Sequence, residues 1–192
     1  MRREITLAAL IAIAAANGCK ENRWVPRGRA EITLSEIKLQ GAADVSRRID
    51  ADEGFAKSVL DGVASGDSVW LDVASQLRPP SAAAQASLAI ALASALPRAP
   101  RKVLTMVDHA DDKYPTEQVC GMPFLKADSS AVVTYYSDAM RAVSSVTDSV
   151  LATVVDVCRT SLDSSHSRRL QRIDPSYIIK NKPAPAPKRS RR

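Results

Sequence analysis

The sequence predicts an all-α protein: an irregular bundle or short stack of about six helices, with an extended N-terminal tether and a disordered basic C-terminal tail. Apolar residues between positions 50 and 164 recur at spacings of three and four, the period of one helix face. The prolines of this region fall between the periodic segments. Only 7 glycines and 4% aromatic residues occur, so we expect a helical core of Ala, Val, Leu and Ile.

Four helices are predicted in the first part of this domain. Asp50 and Glu53 resemble a capping box that opens the first helix, and Gly66 marks its end. Asp67 is placed to cap the second helix and Ser81 the third. The predicted inward residues are Phe55, Val59, Leu60, Val63, Val69, Trp70, Val73, Leu77, Leu88, Ala91, Leu92, Ala95, Leu96, Val103, Leu104 and Val107.

The second part begins with an irregular segment, 108–126. A long helix is predicted from Asp128 or Ser129, and a break near 147–148 separates it from a last helix. The inward residues of these two helices are predicted to be Val132, Tyr135, Tyr136, Ala139, Val143, Val146, Val150, Leu151, Val154, Val155, Cys158 and Leu162.

Residues 19–49 have a mixed pattern. Ile32 and Leu34 alternate with polar residues, as do Ile37 and Leu39, which permits a short strand. The preceding residues are basic and include glycine, so we expect a tether that is only partly ordered.

The charge of the chain is concentrated at its C-terminal end. Six of the 27 basic residues lie in the last 13 positions, which leaves 21 basic against 21 acidic residues in positions 1–179. A neutral body gives no reason to expect nucleic-acid binding.

The segment 165–192 is predicted to be a basic tail. Pro183, Pro185 and Pro187 alternate with alanine, which favours an extended polyproline II spacer. The tail either binds anionic surfaces of the cell envelope or is simply solvated. The candidate polyanion-binding residues are Lys180, Lys182, Lys188, Arg189, Arg191 and Arg192.

Residues 1–18 have the layout of a secretory signal peptide. Arg2 and Arg3 precede an apolar run of 12 residues, Ile5–Ala16, and small residues follow. The run is too short to span a bilayer of ~30 Å. The alternative is a buried N-terminal helix.

The sequence Ala16-Asn17-Gly18-Cys19 resembles a bacterial lipoprotein signal, although Ala16 stands where leucine is usual. The resemblance implies a diacylglyceryl group on the sulfur of Cys19, cleavage before this residue, and a membrane anchor. Lys20 then implies the outer membrane. Ordinary secretion, with cleavage after Ala16 or Gly18, is the alternative.

The three cysteines fit this resemblance. Lipidation of Cys19 would leave Cys120 and Cys158 as a pair, which an oxidising periplasm would join in a disulfide. The alternative is two separate buried thiols.

No catalytic motif is present: the sequence has no nucleophile elbow, P-loop, dinucleotide fingerprint, CxxC or HExxH. His109 lies among the carboxylates of Asp108, Asp111, Asp112 and Glu117, but their spacing is not that of a calcium loop. We therefore expect a solvated turn there, and no catalytic residue, metal site or cofactor.

The remaining side chains that could bind a ligand are three aromatic residues and one histidine: Trp70, Tyr135, Tyr136 and His166. Trp70 has helical spacing and is predicted to lie in the core. Tyr135 and Tyr136 should point in different directions, one buried and one exposed. His166, in the sequence SSHSRR, is predicted to be a solvated residue.

The stretches VWLDVASQL, SLAIALASALP and KVL resemble small uncharacterised helical envelope proteins of Gram-negative bacteria, which implies no known activity. We expect a non-enzymatic cell-envelope lipoprotein that serves as a helical interaction or structural module. Its partners would be the membrane, through the lipid anchor, and a protein. The alternatives are polyanion binding through the tail, and an unrecognised hydrolase or metal-dependent enzyme near His109.

Overall fold

The computed structural model describes residues 27–107, 114–123 and 129–173. Within these ranges the chain forms nine α-helices and one 3-10 turn, and no strand. The predicted all-α fold is confirmed. The helices are α1 (Arg27–Gln40), α2 (Ala42–Ala51), α3 (Glu53–Ala64), α4 (Ser68–Gln76), α5 (Ala82–Ala95), α6 (Pro100–Met106), α7 (Thr116–Cys120), α8 (Ser129–Ser144) and α9 (Ala152–Ile173), with the 3-10 turn at Ser149–Leu151.

Two of the predicted helix caps are confirmed. The side chain of Asp67 accepts hydrogen bonds from the backbone N–H groups of Val69 and Trp70, at the start of α4. The hydroxyl of Ser81 accepts one from the N–H of Ala84, at the start of α5. Gly66, with φ of +77°, ends the turn after α3, a conformation that favours glycine.

The predicted cap at Asp50 is wrong. Because α2 runs on through Ala51, Asp50 lies inside that helix and accepts a hydrogen bond from the hydroxyl of Ser81. Asp52 caps α3 instead, and its carboxylate accepts a 2.9 Å hydrogen bond from the N–H of Phe55.

Residues 27–49 form α1 and most of α2, so the prediction of a tether or short strand is wrong over this range. The buried side chains of α1 are Ala30, Thr33 and Ile37, which share one helix face. Ile32 and Leu39, half of the alternation that permitted a strand, are 60% and 84% exposed. Residues 19–26 lie outside the described ranges.

One continuous core connects the helices. The most extensive helix contacts join α1 with α4, α3 with α5, and α9 with both α7 and α8. As predicted from the scarcity of aromatic residues, most buried side chains are Ala, Val or Leu.

Trp70 is the largest buried side chain and is 1% exposed, so its predicted place in the core is confirmed. Its indole ring packs directly against Gly62 of α3. A Cβ atom at Gly62 would fall on the ring, so this approach of α3 to α4 needs glycine.

The predicted pairing of Cys120 with Cys158 is also confirmed. A disulfide joins α7 to α9, with a Cα–Cα distance of 5.3 Å, and both residues are fully buried. Tyr114 lies just before α7 and is also buried; its hydroxyl donates a hydrogen bond to the carbonyl of Ala74. The segment predicted to be irregular therefore contains a short helix that is covalently attached to the bundle.

The last helix extends nine residues beyond the predicted boundary at Ser164, to Ile173. His166 lies within it and is half-buried, with its ring stacked on that of Tyr136 at 4.0 Å between centroids. The prediction of a solvated His166 is therefore wrong.

Candidate functional site

An open depression of the described surface lies between the α5–α6 connection and the end of α8. It consists of two adjoining clefts of about 730 and 630 Å³, which share Pro100 and Ser145. We call the two clefts together the α6 groove. Its lining residues are Ser94, Pro97, Arg98, Ala99, Pro100, Arg101, Lys102, Tyr135, Asp138, Arg141, Ala142, Ser145, Val146, Thr147 and Asp148.

The α5–α6 connection forms one wall. Pro97 closely follows the end of α5, and Pro100 is the first residue of α6, where its missing N–H costs the helix nothing. The guanidinium of Arg98 donates hydrogen bonds to the carbonyls of Ala64 (3.2 Å) and Ser94 (3.3 Å). These bonds tie the connection to the ends of α3 and α5, so the wall is fixed.

An ion pair joins the two sides of the groove. Nη2 of Arg101, on α6, lies 2.8 Å from Oδ2 of Asp148, in the turn after α8. The other carboxylate oxygen of Asp148 accepts a hydrogen bond from the N–H of Val150. The hydrogen bond from Arg101, followed by that from Val150, lowers the pKa of Asp148, so this carboxylate is ionised at neutral pH.

Two further cations of the groove, Lys102 and Arg141, also form ion pairs. Lys102 reaches back to α4, where Nζ lies 2.7 Å from both Oδ1 of Asp72 and the carbonyl of Ser68. Arg141 pairs with Asp138 one turn earlier on α8.

The groove nevertheless has an excess of positive charge. Its lining includes four cations, Arg98, Arg101, Lys102 and Arg141, but only two carboxylates. Arginine forms paired, charge-assisted hydrogen bonds with carboxylates. The arrangement is therefore suited to an extended segment that carries acidic side chains.

Tyr135 and Tyr136 point in different directions, and each side chain is half-buried. Tyr135 borders the groove, and its hydroxyl donates a 2.8 Å hydrogen bond to the carbonyl of Ala93. Burial raises the pKa of Tyr135, so it stays neutral. Tyr136 faces α9 and donates to Oδ1 of Asp163 at 2.5 Å. The predicted difference in direction is confirmed, but neither side chain is fully buried or fully exposed.

Sequence reasoning did not identify the groove cations. They come from two separate parts of the chain, and no local motif links Arg98 and Arg101 with Arg141. The one available signal was Tyr135, one of the aromatic side chains that the sequence offers as candidates for binding. Other predicted candidates lie outside the described residues: Cys19, Asp108, His109, Asp111, Asp112, Lys180, Lys182, Lys188, Arg189, Arg191 and Arg192.

The described part of the chain, residues 27–107, 114–123 and 129–173, offers neither a cluster of metal ligands nor a membrane-spanning helix. No group of three or more His, Cys, Asp or Glu side chains in these ranges could hold a metal ion. Nor is any helix in the described part of the chain long and apolar enough to cross a membrane.

No protein-family model, curated protein or solved structure matches this chain.

Proposed function

We propose that this protein is a non-enzymatic lipoprotein of the cell envelope and acts as a helical interaction module. Its α6 groove would bind an acidic segment of a partner protein. The observation that carries the proposal is the excess of cations in the groove, which lines an open surface between fixed helices.

The disulfide supports the proposed compartment. Disulfides persist in oxidising environments such as the periplasm and are rare in the cytosol. A buried bond between Cys120 and Cys158 therefore agrees with export of the chain. Membrane attachment through Cys19 rests on the resemblance of residues 16–19 to a lipoprotein signal.

The charge of the groove favours an acidic partner over a basic or apolar one. The side chain of Arg101 is 75% exposed and that of Arg141 is 77% exposed, so both can accept further carboxylates beside their present partners. An exposed pair contributes only about 0–1 kcal/mol. Useful affinity therefore requires several pairs together with contacts to Pro97 and Pro100, and it should weaken as salt is added.

Crosslinking in envelope membranes tests the location of the binding surface. A photocrosslinking amino acid replaces Ser145, which both clefts share, in the full chain. The control places the same amino acid at Ser35, an exposed position on α1. We expect a discrete crosslinked partner from position 145 only. The same products from both positions would contradict binding in the groove.

A matched pair of charge reversals tests the chemistry. Arg141→Glu reverses a groove cation that pairs with Asp138 three residues earlier. Arg47→Glu reverses an exposed cation on α2 that pairs in the same way with Asp44, and α2 contributes no residue to the groove. Arg141→Glu should abolish the crosslink from Ser145, whereas Arg47→Glu should leave it unchanged. Equal crosslinking in both variants would refute an acidic ligand.

A further inference from the structure

A second, smaller cavity lies along the C-terminal half of α9, beside the disulfide. It has a volume of about 130 Å³ and is lined by Gly121, Ser165, Arg168, Arg169 and Arg172. The four residues from α9 have the spacing i, i+3, i+4 and i+7, so they lie on one face of the helix. Three arginine side chains therefore line one small cavity.

Two of the three arginines, Arg168 and Arg172, differ from the cations of the α6 groove in their partners. Arg101 and Arg141 each form an ion pair with an aspartate. Among the described residues, no carboxylate forms an ion pair with Arg168 or Arg172. The nearest acid before them on α9, Asp163, accepts the hydrogen bond from the hydroxyl of Tyr136.

The cavity walls are held in place. The guanidinium of Arg169 donates a hydrogen bond to the carbonyl of Met122, and Nη2 of Arg168 donates one to the hydroxyl of Ser165 at 3.2 Å. Met122 is buried and has a left-handed φ of +55°, a conformation that persists only when the surroundings enforce it. The disulfide at Cys120 fixes the same turn to α9.

Gly121 lies close to the backbone of α7 and to the side chain of Ser165 on α9. A Cβ atom at this position would collide with the carbonyl oxygen of Glu117 and would lie 3.7 Å from the hydroxyl of Ser165. The turn therefore comes close to α9 without a side chain between them.

The helix dipole does not account for this cluster. A cation in the last turn of a helix is stabilised by the C-terminal carbonyls, which explains Arg172. It does not explain why Arg169 points to the carbonyl of Met122 in another element. Burial, followed by repulsion from Arg172, lowers the pKa of Arg169, so the charge on Arg169 is destabilised relative to that of an exposed arginine.

We propose that this cavity binds a phosphate-class oxyanion, either free phosphate or the phosphate group of a lipid headgroup. Arginine presents paired N–H donors that match the oxygen atoms of phosphate, and three arginines favour a doubly charged ligand. The cavity is separate from the α6 groove, and the inference goes beyond the proposed function.

Calorimetric titration of the full chain with inorganic phosphate tests the site. The double substitution Arg168→Gln/Arg172→Gln should weaken binding by about tenfold or more, the effect of losing charge-assisted hydrogen bonds. Arg159→Gln is the matched control, because it removes one charge from the same helix three turns earlier, where Arg159 faces Asp156. The control should bind phosphate as the unmodified chain does.

Binding to vesicles of phosphatidylcholine, with and without phosphatidic acid, distinguishes free phosphate from the phosphate group of a lipid as the ligand. All variants keep the same basic tail, so a difference between them reports on the cavity. Phosphate binding that needs Arg168 and Arg172 supports the free anion. Vesicle binding that needs them, without heat from phosphate, supports a lipid headgroup. An equal response of all variants to both probes, or no binding of either, would overturn the proposal.

Thermal unfolding checks that the variants fold. If the glutamine pair unfolds, Arg168→Lys/Arg172→Lys replaces it, because lysine keeps the charge and loses the paired donors. The double lysine variant should also have a lower affinity for phosphate than the control variant Arg159→Lys. Equal affinity in the two lysine variants would overturn the proposal.

Discussion

Loss of the disulfide should have a large effect on stability that can be calculated from the chain. The bond between Cys120 and Cys158 closes a loop of 38 residues. In the chain-entropy treatment, a loop of this length removes about 13 cal/mol/K from the unfolded state, or about 4 kcal/mol at 25 °C. Small domains have stabilities of about 5–15 kcal/mol, so the bond would supply a substantial part of the total.

The loss of stability on removal of the disulfide should not be uniform along the chain. The helix α7 has only five residues, too few to be stable alone, and it is held by the buried side chains of Val119, Cys120 and Met122. Without the bond, residues 114–123 should open before the rest of the bundle. Hydrogen exchange should therefore accelerate in α7 under conditions that leave α3 and α5 protected.

Urea denaturation followed by far-UV circular dichroism measures the effect on the full chain. The oxidised protein is compared with the reduced protein and with Cys120→Ala/Cys158→Ala. Reductant should lower the free energy of unfolding of the unmodified protein by about 4 kcal/mol and leave the double variant unchanged. A loss below about 1 kcal/mol, or an equal effect of reductant on the double variant, would refute the reasoning. Two free thiols in protein isolated from envelopes would refute the pairing itself.

Three further predictions concern the core, the pH dependence and the anchor. Trp70→Ala should cost about 3–5 kcal/mol in urea denaturation, because the indole is 1% exposed; a loss near zero would contradict its place in the core. Burial raises the pKa of Tyr114 and Tyr135 above the ordinary value of 10.0, so the folded state keeps protons that the unfolded chain loses. The resulting stability is complete below pH 10 and should fall as pH rises further; tyrosine absorbance that titrates normally in the folded protein would contradict this. Cys19→Ser should release the protein from membranes, and unchanged fractionation would exclude lipidation as the anchor.

Local signals were sufficient to predict α4 and α5. Each combines a capping side chain, Asp67 or Ser81, with a long run of apolar residues at helical spacing. Local hydrogen bonding and side-chain burial therefore favour the same structure, which is the condition under which sequence patterns are most informative.

The first helix was missed because its buried face is not conspicuously apolar. Ala30, Thr33 and Ile37 form that face, and one of the three is polar. The hydroxyl of Thr33 donates a 2.9 Å hydrogen bond to the carbonyl of Arg29, so a polar residue is satisfied within the helix and can be buried. A pattern that counts threonine as polar cannot identify this face. Leu39 and Ile32 then produce a misleading alternation.

The α6 groove depends on tertiary contacts that no local pattern contains. Arg101 and Asp148 are separated by 47 residues and meet because α6 packs against α8. His166 illustrates the same limit: its neighbours SSHSRR indicate solvent exposure, whereas its actual environment is the ring of Tyr136 on another helix. For Arg101 and His166, the charge and the ring were therefore evident from the sequence, but the distant residue that each contacts was not.

Although the body of the chain is neutral, both proposed sites are cationic, and they differ in whether their arginines already form ion pairs. In the α6 groove, Arg101 and Arg141 already face aspartates, so each carboxylate that an acidic segment adds beside these pairs gains less attraction than it would from an arginine without such a pair. In the cavity on α9, Arg168 and Arg172 have no such competitor among the described residues, so an anion gains attraction without displacing a carboxylate. Binding in the groove should therefore depend on the arrangement of several acidic side chains, whereas the cavity should accept a single small anion. A single acidic amino acid added in excess should consequently leave a partner bound in the groove, because one carboxylate gains little from pairs that are already formed.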